Sequence, residues 1–272
     1  MLDKQDILRK FARNNDEKML LAKALDKFDE AARYNVPSNT KFLNEQERAY
    51  LSAALKSIKE AGNHRSVFWG GYENAQRTVL LFLPDYFEPE DLSADYGTGY
   101  DPLAYIRIEY TCKKPLNHRD FLGSLMGCGL TRETIGDILV SESSCDIVLL
   151  KEILPYVMSN LDAVGRAKIK ITEIDSKSLI IPEQKYAEIK TTLASMRLDG
   201  IISSAFPVSR STAVEYITSG RVLVNYMECK KPDRLIGISD IITVRGMGKI
   251  ELQEIGPLTR KGRFTVIIKK YI

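Results

Sequence analysis

The sequence predicts an α+β protein in three consecutive parts, and three observations carry the prediction. Apolar residues recur at helical spacing from Ile7 to Ile58. Between Ala104 and Glu173 stretches of period two alternate with stretches of helical period. From Arg197 onward two short helical patterns precede short β-branched runs. The expected division is a helical N-terminal domain over 1–76, a central mixed domain over 77–182 and a C-terminal module over 183–272.

In the first part Ile7, Leu8 and Phe11, then Leu21, Leu25 and Phe28, mark one helical face; Pro37 breaks the run, and Leu51, Ala54, Leu55 and Ile58 resume it as far as Gly62. This stripe reads as core rather than as a partner groove. In the central part Val79 to Leu83 reads as a buried strand, and Ala104, Ile106, Ile108 and Tyr110 as a strand with one buried face. A helix over Arg119 to Met126 follows, then a hairpin pair, Ile138 to Val140 and Ile147 to Leu150, around Ser143-Ser144. A helix over Ile153 to Leu161 and a strand through Ile169, Ile171 and Glu173 complete it. Counted from Ala104, this β-α-β-β-α-β order is the split βαβ arrangement of ferredoxin-like domains, which include the RNA-recognition motif. The strands lack that motif's paired stacking aromatics, so single-strand base stacking is not expected.

In the last part Leu198, Ile201, Ile202 and Ala205 recur at helical spacing, and Pro207 stops the helix because it cannot donate to the preceding turn. Ser209 is a suitable N-cap for a second helix with Ala213, Val214 and Ile217 as its buried stripe, and Gly220 ends it. Arg210 sits in the first turn, where a cation opposes the helix dipole, so a group outside the helix is expected to want it. Val222 to Val224 reads as a strand turning at Asn225-Tyr226, and Ile241 to Arg245 as another before Gly246-Met247-Gly248. The result is two short helices laid on a small sheet.

Charge is divided unevenly. From Lys185 to Ile272 fifteen Lys or Arg stand against eight Asp or Glu, a net of +7; the whole chain carries +3, which leaves −4 for residues 1–184. A basic end on a near-neutral chain fits a polyanion partner. The cysteines Cys112, Cys128, Cys145 and Cys229 form no Cys-x-x-Cys pair, and only His64 and His118 could assist a metal, so reduced thiols, no zinc and no cofactor are expected. Met1 to Asn15 alternates charged and apolar residues, unlike a signal peptide or membrane span, and a cytoplasmic location is expected.

Arg197-Leu198-Asp199, Ser209-Arg210, Ala213, Ile217, Gly220-Arg221-Val222, Val224-Asn225, Lys231-Pro232, Asp240 and Val244-Arg245-Gly246 together resemble the αL-type RNA-binding domain named for ribosomal protein S-four. The resemblance implies that the two helices present a basic face to structured RNA. The contact candidates are Arg197, Ser209, Arg210, Thr212, Arg221, Asn225, Lys230, Lys231 and Arg245, with Leu198, Ile217 and Val224 as core. The chain departs from the pattern at Ser239-Asp240, where Gly-Asp is usual, and at Tyr226, where Gly usually follows Asn225.

Further upstream His64, Phe68, Gly70-Gly71-Tyr72, Ala75, Arg77, Leu116, His118-Arg119-Asp120, Leu122-Gly123-Ser124-Leu125, Arg132-Glu133, Ile135-Gly136-Asp137-Ile138, Asn160-Leu161 and Val164-Gly165-Arg166 resemble the YlmH family of bacterial proteins, often encoded beside cell-division genes. That resemblance implies ribosome association, at the large subunit carrying tRNA, a part in rescue or quality control of stalled translation, and no catalysis. Arg119, Arg132 and Arg166 are candidates for a second phosphate-contacting surface; ordinary ion pairs with Asp120, Glu133 or Asp137 are the equal alternative.

Enzyme readings fare poorly. His118-Arg119-Asp120 mimics the kinase catalytic loop, but Leu125 stands where Asn is required and no Asp-Phe-Gly occurs. Arg197-Leu198-Asp199 is similar to the pseudouridine synthase aspartate motif without the Thr-Ser-Gly that follows it there, and Asp199 reads more simply as an acidic residue favourable to a helix dipole. The glycines at 70, 71, 123, 127 and 129 form neither a P-loop nor a dinucleotide fingerprint and read as packing and turns. The sequence therefore points to a non-catalytic RNA-binding protein, and the family resemblance implies ribosomal RNA and tRNA on the large subunit as its partners. The alternatives are an RNA-modifying enzyme with an unrecognised site and a cell-division adaptor.

Overall fold

Helices α1 (Lys4–Phe11), α2 (Asn15–Tyr34) and α3 (Glu45–Ser57) form where the apolar stripe predicts them in the computed structural model. It describes residues 4–57, 65–84, 86–87, 100–111 and 114–272. Ile58, Gly62, His64 and Cys112 lie outside the described residues. Asn14 caps α2 by accepting Glu17 N at 2.8 Å, and Asn35 in the left-handed region (φ 53°) ends it two residues before Pro37. Contacts divide the chain into two units, residues 1–182 and 183–272.

In the first unit, β1 (Ser38–Asn39), β2 (Arg65–Trp69) and β3 (Val79–Leu83) make an antiparallel sheet in the order β1-β3-β2. All five residues of β3 are buried, and its period-two alternation divides them between two cores. Leu80 and Phe82 join Leu21, Leu25 and Leu51 of the helices. Val79, Leu81 and Leu83 face Phe42, Tyr105, Val148 and Leu150. The boundary expected at residue 76 therefore falls inside a shared structure: β3, which follows it, pairs with β1 and β2, which precede it, at Ser38↔Phe82 and Phe68↔Leu80. A strand that serves two cores leaves no place to divide residues 1–182 at that point.

The rest of this unit is β4 (Leu103–Tyr110), α4 (His118–Gly127), β5 (Ile135–Val140), β6 (Ser144–Leu150), α5 (Leu154–Asn160), β7 (Ala163–Val164) and β8 (Ala167–Ile174). The strands form an antiparallel sheet in the order β5-β6-β4-β8-β7. Ile106, Ile108, Ile147 and Leu149 pack beneath Phe121 and Leu125 of α4 and Val157 of α5. The opposite face meets β3, so the sheet is covered on both sides. Gly71, at φ 91°, has no room for a side chain: a Cβ would stand 2.5 Å from the Tyr105 ring. The chain leaves the sheet through a fixed exit, because buried Asp146 accepts both Arg107 Nε and Nη2 at 2.7 Å and also Ile180 N at 2.7 Å.

The second unit comprises β9 (Tyr186–Leu193), α6 (Leu198–Ala205), α7 (Arg210–Thr218), β10 (Val222–Val224), β11 (Met227–Glu228), β12 (Ile241–Val244), β13 (Gly248–Leu258) and β14 (Phe264–Tyr271). The sheet has six strands in the order β11-β10-β12-β13-β14-β9, larger than the sequence pattern indicates. Leu198, Ile201, Ile202, Ala213 and Ile217 of the two helices pack on Val222, Val244, Ile250, Leu252 and Ile268. The two departures from the αL-type pattern are accommodated at a strain. Asn225 and Tyr226 take φ 50° and 65°, the pair of left-handed residues that a tight hairpin between β10 and β11 requires, and Ser239 takes φ 68°.

Leu81→Ala should cost about 3 kcal/mol and, by loosening β3 where it packs on β6, accelerate amide exchange in β6 directly and in α2 through Leu80 and Phe82 of the same strand; unchanged exchange in α2 would contradict a strand that couples the two cores. Ser239→Gly, at an exposed left-handed position, should stabilise the second unit by about 1 kcal/mol in urea unfolding.

Candidate nucleic-acid interface

Residue 199 organises the basic face. Asp199 lies in the first turn of α6 and is only 3% exposed. Its carboxylate accepts Arg197 Nε and Nη2 at 3.2 and 3.0 Å, Arg210 Nε and Nη2 at 3.1 and 3.0 Å, and Gly200 N at 2.7 Å. Burial by itself would raise the carboxyl's pKa; the two guanidinium forks outweigh it, and the group titrates below the ordinary range. Arg197 and Arg210 stay 38% and 59% exposed in their side chains. Two cations therefore stand side by side, held from below and open above, at the starts of both helices.

This arrangement answers the question that Arg210 poses in the sequence. The group that wants it is Asp199, within the same domain, and Asp199 is an arginine clamp as well as a residue favourable to the helix dipole. Arg210→Glu would set a second carboxylate against a buried one, so it is not a neutral probe of the surface.

The loop after β11 completes this end of the face. Leu198 N donates to Arg234 O at 2.9 Å and Asp199 N to Pro232 O at 3.1 Å. Those bonds bring Lys231 and Arg234, both exposed, to the start of α6. Arg234 is a cation that the sequence reading passed over, because no motif position marks it; its place among Lys230, Lys231 and Arg234 in one turn was the available signal. Lys230 lies 3.1 Å from Glu228, an exposed pair of little energetic weight. Among the described residues the side chains of Lys231 and Arg245 have no polar partner.

At the far end of α7, Arg221 stacks over Tyr216 at 4.2 Å and donates to Arg245 O at 3.0 Å. The two basic ends are separated by the nine residues of α7, about 13 Å of helix. Ser209 is the N-cap, accepting Thr212 N at 3.1 Å, and its hydroxyl also lies 2.8 Å from that of Thr212. These hydroxyls serve the helix start first. Asn225, an exposed contact candidate, also holds the turn: it donates to Asp240 Oδ1 at 2.7 Å and accepts Ile241 N at 2.9 Å.

Of the second candidate surface, Arg119 and Arg166 are exposed and carry no ion pair among the described residues. Asp120 instead accepts Asn117 N at 2.8 Å and closes the capping box of α4. Arg132 belongs to neither reading. Its Nη1 donates to Ile135 O and Gly136 O at 2.6 and 3.0 Å. Burial, with Arg77 adjacent, lowers its pKa to about 10. Glu133 pairs with Lys41, and Asp137 accepts Tyr72 Oη, Gln76 N and Arg77 N. Arg132 is a bracket for the β5 segment, which turns its carbonyls inward at that point. Among the described residues no group of His, Cys, Asp or Glu is placed to hold a metal, and no helix is long and apolar enough to cross a membrane.

Residues 101–178 match the family described as "Putative RNA-binding domain in YlmH", and residues 196–242 match the S4 domain. The Ribosome-associated protein quality control protein P2 of Bacillus subtilis (strain 168) is 29% identical over 232 residues, 85% of this chain and 86% of that protein. The solved structure of the cell division protein ylmH from Streptococcus pneumoniae is 21% identical, with a TM-score of 0.48 over 62% of this chain and 97% of that one. The chain thus carries a YlmH-type RNA-binding domain followed by an S4 domain, as the resemblance in its sequence implies.

Asp199→Asn should lower the stability of the second unit by about 2 kcal/mol at neutral pH. Because the folded-state pKa of Asp199 lies below the unfolded value of about 3.9, its contribution is complete above that pH and lost as pH falls through the lower value. Urea midpoints of wild type and variant should converge on acidification from pH 5 to 2. A gap that stays constant would exclude the clamp.

Proposed function

We propose that this chain is a non-catalytic, cytosolic RNA-binding protein that docks on ribosomal RNA of the large subunit, beside tRNA, and serves the quality control of stalled translation. The observation that carries the reading is the arginine pair on Asp199, set at the starts of two helices in an S4 domain. Two forks with exposed outer edges suit phosphate oxygens, and backbone N–H groups at the helix starts add to the same field. The ribosome-associated relative supports the ribosome as the partner; the large subunit and tRNA are what the family resemblance implies. The βαββαβ order and strand order of the YlmH-type domain support a ferredoxin-like fold for it, with its exposed Arg119 and Arg166 as a secondary contact.

On this reading affinity comes mainly from phosphate neutralisation and selectivity from the fixed spacing of the two basic ends of α7. Catalysis has no part in it: of the two acidic residues whose tripeptides have a catalytic precedent, Asp199 is committed to two arginines and Asp120 to the capping box of α4.

Co-sedimentation with ribosomes and separated subunits over a salt series tests this. Wild-type protein should follow the large-subunit particle, with log affinity falling against log salt at a slope of about −3 to −5. Lys231→Glu with Arg245→Glu, at exposed side chains, should weaken binding and reduce the slope by about 2. Salt-insensitive association, or none with any particle, would overturn the proposal.

A further inference from the structure

Leu235 is 71% exposed on the basic loop, yet its backbone is held in place. Ile236 N donates to Met196 O and Leu198 N to Arg234 O, each at 2.9 Å. These bonds flank the bridge between Arg197 and Leu235. They make that pair a non-hydrogen-bonded antiparallel one, with both side chains on one face and their Cβ atoms about 5 Å apart. The neighbours on the other face, Leu198 and Ile236, are buried at 0% and 3% exposure. Alternation along both strands thus turns Arg197 and Leu235 outward together.

A large apolar side chain has been placed beside the arginine clamp, with Arg234 next to it and Lys231 one turn away. The surrounding charge selects an anionic partner, and the leucine selects one that offers apolar surface within about 5 Å of its anion. A nucleotide has this form, since each phosphate adjoins a ribose and a base. We infer that Leu235 packs on a ribose or an unstacked base of the bound RNA, next to the phosphate engaged by Arg197 and Arg210. This rests on the RNA-binding reading above and gives the face a contact that is indifferent to salt.

The test measures binding of Leu235→Ala and Leu235→Met to purified large ribosomal subunits over a salt series, with long-chain inorganic polyphosphate as a base-free control. Leu235→Ala should bind the subunit about tenfold more weakly, the effect of losing one buried aliphatic side chain. Its salt slope should be unchanged, and so should its affinity for polyphosphate; Leu235→Met should restore most of the subunit affinity. Equal binding by Leu235→Ala and wild type, or an equal loss on polyphosphate, would overturn the inference while leaving the RNA-binding reading intact. Failure of wild-type protein to bind the subunit would overturn both.

Discussion

The basic face depends on how a carboxylate with almost no access to water is satisfied. Asp199 meets this requirement with two arginine forks and one backbone N–H. A buried charge left unpaired is severely penalised, so the forks are held where they are needed to satisfy it. The same bonds bring two like charges side by side, which open solution would disfavour, and leave their outer edges free. One set of contacts thereby satisfies the buried carboxylate and leaves two guanidinium groups partly open to solvent, where the proposed phosphate would sit. The loop from Lys231 to Leu235 is fastened to this point through Leu198 N and Asp199 N, so Lys231 and Arg234 inherit their positions from it.

The first unit is built on a different constraint. A five-residue strand with every side chain buried needs apolar surface on both faces, and β3 receives it from the helices on one side and the central sheet on the other. Polar brackets hold the seam between them. Asp137 gathers Tyr72, Gln76 and Arg77, while Arg77 and Arg132 converge on the carbonyl of Ile135. Arg132, which looks like part of a binding surface in sequence, here belongs to the fastening of one layer to the next.

Elements defined by local pattern were legible in the sequence. Ser209 and Gly220 bound α7 as capping chemistry requires, and the β-α-β-β-α-β succession stands within a few residues of its expected limits. Relations between distant residues were not legible. The pairing of Arg210 with Asp199 spans a turn that no periodicity describes, and Arg132 reads as a surface cation until the inward carbonyls of Ile135 and Gly136 are known. Likewise β9 and β14 pair across most of the second unit, a contact that neither segment's composition announces. Asn225 was recognised as a turn residue, but its bonds to Asp240 and Ile241 come only from the folded register.

The central claim, that RNA is held at the face organised by Asp199, is tested most directly by hydrogen–deuterium exchange of the full chain with and without large ribosomal subunits. The account predicts protection concentrated at 197–200, 209–213, 231–236 and 245–247, with the sheet interior of the second unit unchanged. Protection confined to residues 1–182 would contradict it and move the interface to the first unit.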